Sequence, residues 1–217
     1  MSGGGLVIES AETGRTAGGR ILKLRFQNGG VLEIGASYLP SELPEAFFCP
    51  GVPVRDGDEG VLRLAAECLR AEKAALRLIA RAEQCAAILA RKLERRGYRA
   101  EAVSGALARL ETLDLIRDSR YAELWLKARV HRGTQGPRML LGLLRARGIG
   151  RECAETALKA VLTPEAEDTL LLRRLAGAGK KPGKAGPGGV PGIRYFLRAE
   201  GFSSAAITRY FEEQEHP

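Results

Sequence analysis

A chain of 217 residues with 45% apolar and 28% charged side chains can bury a real core, in one large domain or several small ones, and has the make-up of an ordinary globular protein. No apolar run reaches the ~18 residues of a membrane span, and the start, MSGGGLVIES, lacks the basic and apolar regions of a secretory signal, so a cytoplasmic protein with no membrane partner is expected. Net charge is +8 and unevenly spread: residues 1–72 carry −3, residues 73–151 carry +11 from 18 basic and 7 acidic side chains, and residues 152–217 balance. Such a block favours nucleic acid or an acidic protein surface as partner.

From the N-terminus, residues 20–34 read as a β-hairpin. Leu22, Leu24 and Phe26 alternate with Lys23 and Arg25, Asn28-Gly29-Gly30 suits a tight turn, and Val31 to Ile34 returns. A lone hairpin is marginal in water, so another strand or a helix should cover it. Pro40, Pro44, Pro50 and Pro53 then mark a loop region that Phe47 and Phe48 anchor by packing. A long helix begins around Asp58, with Leu62, Ala65, Leu69, Leu76 and Ile79 along one side.

Leu115 to Ile149 reads as two helices separated by a glycine break. Asp118 or Ser119 can cap the first, whose Tyr121, Leu124, Trp125 and Ala128 share an apolar stripe and pack in the core. Arg120, Lys127, Arg129 and Arg132 lie off that stripe. Gly133 and Gly136 interrupt the pattern, Pro137 suits the first position of the next helix, and Leu140, Leu143 and Leu144 resume the helical spacing. Residues 177–192, rich in glycine and proline and carrying Lys180, Lys181 and Lys184, read as a linker. They do not form a phosphate-binding loop: Ala178 stands where that loop needs glycine, and Ala185 where it needs a hydroxyl.

From residue 83 the chain repeats itself about three glycines, Gly97, Gly148 and Gly201. Eight residues before them stand Leu89, Leu140 and Ile193; four before, Leu93, Leu144 and Leu197. Immediately after come Tyr98, Ile149 and Phe202; six after, Val103, Ala154 and Ile207; ten after, Leu107, Leu158 and Phe211. The pattern predicts a helix ended by a left-handed glycine and followed by a second helix, three times over. A third helix follows in the first unit (118–132) and in the second (164–176), while the last runs out of chain after two. Units of this size expose too much apolar surface alone and should stack.

These residues resemble the bacterial RecX regulators. The resemblance rests on Leu115-Ile116-Arg117-Asp118-Ser119-Arg120-Tyr121-Ala122, then Arg129, Arg132-Gly133, Gly136-Pro137, Leu144 and Gly148-Ile149. Upstream Leu93 and Gly97-Tyr98 fit, and downstream Phe196-Leu197-Arg198 and Gly201-Phe202. It spans about residues 76–211. The chain departs from the pattern at Arg117, which replaces an acidic residue, in a Gly133–Gly136 segment one residue longer than usual, at Met139 and Leu141 where basic residues are common, and at Ile88 in place of glutamate.

The resemblance implies a mainly α fold of tandem three-helix repeats in an elongated array, three units with the last incomplete, behind a small N-terminal region containing a β-hairpin. The expected divisions are 1–72 for the hairpin and the start of the long helix, 73–132 for repeat 1, 133–186 for repeat 2 with the linker, and 187–217 for repeat 3. It also implies a non-enzymatic monomer that binds the RecA recombinase filament on single-stranded DNA and limits its recombination, ATPase and co-protease activities in DNA repair and the SOS response. The residues expected at that interface are Arg91, Arg95, Arg96, Arg120, Lys127, Arg129, Arg132 and Arg138.

Weak, non-specific DNA binding fits the same charge, and a free-standing helical DNA-binding protein is the alternative. An enzyme is disfavoured. Asp114 with Asp118, or Glu212 with Glu213, could be drawn as paired carboxylates, but no nucleophile–base pair or phosphate loop accompanies them. Neither a metal nor a cofactor is expected: Cys49, Cys68, Cys85 and Cys153 are scattered and read as reduced, mostly buried thiols, and His131 and His216 are too isolated for zinc.

Overall fold

The computed structural model describes residues 6–16, 19–40, 48–179 and 189–215. Pro44, Phe47, Lys180, Lys181, Lys184 and His216 of the sequence reading lie outside them. The chain is mainly helical with one small antiparallel sheet, and it divides into two compact units, Met1–Ile116 and Arg117–Pro217.

In the first unit, strands β1 (Ile8–Thr16), β2 (Gly19–Phe26) and β3 (Val31–Gly35) form the sheet in that order. The hairpin is β2–β3. Gly29 turns it at φ 80°, and the Asn28 side chain accepts a bond from the Gly30 amide at 2.9 Å. β1 supplies the strand that the hairpin needed, from a stretch without a strand signature in the sequence. Its residues from Ala11 to Thr16 are exposed and only Ile8 is fully buried, so it has no alternating apolar signature.

The sheet packs on α1 (Asp56–Ile79) through Ile8, Leu24, Phe26, Ile34, Val54, Leu62, Ala65 and Ala66, with Phe48 against the cluster. Farther along, Ala74 and Ala75 of α1 enter a second core. There α2 (Ala86–Glu94) and α3 (Ala100–Thr112) contribute Leu89, Leu93, Val103, Leu107 and Leu110. One long helix therefore serves two cores. A polar tie reinforces it: the Tyr38 hydroxyl, after β3, donates to buried Glu72 of α1, and the Arg109 Nε of α3 lies 3.4 Å from the same carboxylate. Burial and this bond push the Tyr38 hydroxyl pKa well above its ordinary range.

The second unit holds α4 (Asp118–Arg132), α5 (Pro137–Ala146), α6 (Arg151–Val161), α7 (Pro164–Gly177), α8 (Gly189–Ala199) and α9 (Ser204–Glu215). α6 packs on α4 and α5, α9 on α7 and α8, and α4 on α7. Pro137 and Pro164 each open a helix, as their missing N–H allows, and the Thr163 hydroxyl caps α7 by accepting from the Ala166 amide at 3.2 Å.

Gly97, Gly148 and Gly201 occupy the same left-handed conformation, at φ 87°, 93° and 86°. Each glycine amide bonds a carbonyl three residues back (Glu94, Arg145, Arg198), and the next amide reaches five back (Tyr98 to Leu93, Ile149 to Leu144, Phe202 to Leu197). That is the Schellman closure of a helix C-terminus, with the following apolar residue folded back on the helix. The repeated columns become core: all the residues named for them are buried except Tyr98, which is partly so.

Three local expectations are corrected. Arg117 in extended conformation is the N-cap of α4, so Asp118 falls inside the first turn, where its carboxylate complements the helix dipole. The buried stripe of α4 is Ala122 and Leu126; Leu124 and Ala128 are exposed, and Tyr121 and Trp125 are only half-buried. α4 carries apolar residues on several sides, so its own pattern does not single out the stripe that packs inward. Gly189 to Gly192, read as linker, form the first turn of α8, and α7 runs through Gly177.

Candidate polyanion-binding surface

The proposed contact residues divide between the two units. Arg91 lies in the last turn of α2, with Arg95 and Arg96 in the turn beyond it; all three are exposed. The Nε of Arg91 donates to the Ala87 carbonyl at 3.3 Å and that of Arg95 to Arg91 at 3.2 Å, which holds both guanidiniums along the helix end. Arg91 and Arg95 edge a shallow recess completed by Ile88 and Glu94.

In the second unit Lys127, Arg129, Arg132 and Arg138 are exposed, and Arg120 is partly buried in the first turns of α4. Lys127 lies 3.9 Å from Glu123 of its own helix. Arg138, at the start of α5, bonds through its backbone amide to the Gly201 carbonyl at 3.0 Å, which leaves its position fixed by the corner between α8 and α9.

The geometry is most specific at Trp125. The guanidinium of Arg129, one turn on in α4, lies over the indole at 5.2 Å from its centroid, and that of Arg147, beside Gly148, lies over it at 4.6 Å. Both are within cation–π range. Arg147 also donates through Nη1 to the Leu143 carbonyl at 3.0 Å. At the end of α4, the Arg173 guanidinium of α7 donates to the Val130 and His131 carbonyls at 3.2 and 2.8 Å. Sequence reasoning missed Arg147 and Arg173. A signal existed for Arg147, since the residue before the repeated glycine is also arginine at Arg96; nothing in the sequence marks Arg173.

Other arginines of this unit are engaged in ion pairs. Arg209 binds Asp168 through two bonds of 2.8 and 3.0 Å, and Arg174 binds Glu200 at 2.8 Å while lying over the Phe196 ring. Arg151 binds Glu155 at 2.8 Å. The side-chain bonds from Arg174 and Arg151 hold the Glu200 and Glu155 carboxyls below the usual carboxylate range.

The four carboxylates that pair in the sequence stand in three different settings. Asp114 sits in a left-handed turn at φ 56° after α3, Asp118 opens α4, and Glu212 and Glu213 are exposed on α9. Cys68 and Cys85 are buried, Cys153 is half-buried and Cys49 is exposed, all as free thiols. Among the described residues no group of three His, Cys, Asp or Glu side chains is placed to hold a metal, and no helix is long and apolar enough to cross a membrane.

Comparison with known proteins places the chain in a family. Residues 118–158, from the start of α4 nearly to the end of α6, match the family model "RecX, second three-helix domain". The chain is 35% identical over 125 residues to the regulatory protein RecX of Treponema pallidum subsp. pallidum, covering 58% of this chain and 76% of that protein. It is 41% identical over 92 residues to that of Thermus thermophilus, covering 42% and 63%. A crystal structure of a regulatory protein RecX shares the fold with a TM-score of 0.69 at 19% identity, over 95% of this chain and 99% of the other. RecX from Lactobacillus salivarius does so with a TM-score of 0.60 at 23% identity, over 70% and 98%. The helical corners, their repeated glycines and the Treponema match together make the chain a member of the RecX family of regulatory proteins.

Proposed function

We propose that the chain binds the RecA filament on single-stranded DNA and limits its ATPase, strand-exchange and co-protease activities, with no chemistry of its own. The observation that carries this reading is the outward display of arginine and lysine at the ends of α2 and α4 within a RecX-family fold. An exposed ion pair contributes only about 0–1 kcal/mol, so affinity has to come from several cations acting together along a repeating, negatively charged partner.

The test is the ATPase of RecA on single-stranded DNA, titrated with this protein and with the double charge reversal Arg129→Glu/Arg132→Glu. The protein should slow hydrolysis, and the double variant should need at least several-fold higher concentration for the same effect. Equal inhibition by both would remove the end of α4 from the interface. A free-standing DNA-binding protein is the second reading, favoured by the +11 charge of residues 73–151. Against it, the cations are spread over α2, α4 and α5 and do not line one recognition helix.

A further inference from the structure

We infer that the outer face of α8 binds single-stranded DNA, with Tyr195 stacking on an unpaired base and Arg194 and Arg198 pairing with the phosphates beside it. This deepens the proposed function and rests on it only for single-stranded DNA as the polymer that the chain meets.

Ile193 and Leu197 bury one side of α8. On the opposite side Pro191, Arg194, Tyr195 and Arg198 follow at i, i+3, i+4 and i+7 and share a face. Tyr195 leaves 77% of its surface in solvent, and among the described residues it is the only exposed aromatic side chain. A scattered exposed apolar residue is ordinary, but a ring set between two cations is a different object.

Other rings of this unit are already covered. Trp125 lies under Arg129 and Arg147, Phe196 under Arg174, and Phe211 under Arg194 at 4.3 Å and edge-on to Tyr210. Among the described residues no guanidinium or second ring lies against Tyr195. Its contact with Phe211 fixes Arg194 beside Tyr195, while Arg198 is exposed one turn on.

The surroundings favour an anion. α8 carries no carboxylate of its own, and Glu200, just beyond it, is held by Arg174 at 2.8 Å. Helix-end carbonyls would repel a phosphate near Arg198, but those of Phe196, Leu197 and Arg198 accept the Glu200, Phe202 and Gly201 amides. Exposed Arg138, whose amide binds the Gly201 carbonyl at 3.0 Å, brings a third guanidinium to the same corner. Cations around a bare ring match a single strand, which alternates phosphates with bases whose faces are open. A duplex has spent those faces on its own stacking.

The experiment titrates the full-length protein into a labelled oligodeoxythymidylate and into a duplex of the same length, over a series of KCl concentrations and without recombinase. Tyr195→Ala should weaken single-strand binding about tenfold and leave its salt slope unchanged, because stacking carries no charge. Tyr195→Phe, which keeps the ring, should bind like the parent. Arg198→Ala should weaken binding several-fold and reduce the slope of log affinity against log salt by about 0.7. Duplex binding should be the same for Tyr195→Ala and the parent. In the unaltered protein, irradiation with a strand carrying 5-iododeoxyuridine should attach the strand at Tyr195.

No binding by the parent, unchanged affinity in Tyr195→Ala, an equal loss on duplex, or attachment outside α8 would each overturn the inference. Weaker inhibition of RecA by Tyr195→Ala with its strand affinity intact would overturn it in favour of a protein contact. The attachment site is read on the parent, so it stands even if a variant fails to fold. Because the titration contains no RecA, its failure leaves the filament reading to its own test.

Discussion

Single carboxylates fix how helices meet in both units. Glu67 of α1 accepts the Arg99 amide at 2.7 Å and its Nε at 2.6 Å, at the N-cap of α3. Glu167 of α7 accepts the Ser203 amide at 2.7 Å and its hydroxyl at 3.0 Å, just before α9, and Ser203 in turn accepts from the Ala206 amide. The Arg99 backbone bond, then its side chain, hold the Glu67 carboxyl below its ordinary range. A depressed folded pKa stabilises above the unfolded pKa, and that contribution disappears as pH falls through the folded value. Glu67→Gln should therefore cost about 1 kcal/mol at pH 7, and the difference from the parent should vanish in acid, below a pH of about 4 and on through the folded pKa. Urea denaturation at several pH values checks this; a constant difference would mean that the charge is immaterial. Within α4 the burial order gives a second expectation. Leu126→Ala should cost about 2–5 kcal/mol and Trp125→Ala clearly less, since Leu126 is fully buried and Trp125 is not.

Between elements of the second unit, one close approach is glycine against glycine. The Gly136 amide donates to the Glu200 carbonyl at 3.2 Å, and a Cβ on Gly136 would collide with the backbone of Gly201. Gly136→Ala should push the start of α5 off the α8–α9 corner, which hydrogen exchange would register as faster exchange in α8 and α9 while α4 and α6 keep their protection. Unchanged exchange in α8 and α9 would show that the corner tolerates a side chain. The corners themselves were legible in the sequence, because a left-handed C-cap demands glycine and its apolar partners recur at fixed offsets. Their grouping was less so. The glycine columns define a helix–corner–helix but not which flanking helix completes the set; the match to the family model's second three-helix domain begins at Asp118, the first residue of α4. The α4 stripe and strand β1 were hidden for the same physical reason, an ambiguous or mostly solvent-facing apolar pattern. Half of the arginine–indole arrangement was visible as Arg129; Arg147 and Arg173 are brought to α4 only by tertiary packing.

For the molecule as a whole, each unit is built on helical corners, with the small sheet in the first, and the charge excess sits in the stretch that supplies α2 to α5. The arginines separate into those spent on internal ion pairs, such as Arg99, Arg174 and Arg209, and those displayed at helix ends. Under the function proposed above, cations displayed at helix ends of a stable scaffold are the groups that would meet a polyanionic filament. The most direct test is co-sedimentation of the purified protein with RecA–single-stranded DNA filaments, beside the same DNA without RecA at the same salt. Binding to the filament should be saturable at concentrations where naked DNA retains little of the protein, with the loss of both as salt rises. Equal retention by filament and naked DNA, or none by the filament, would contradict it.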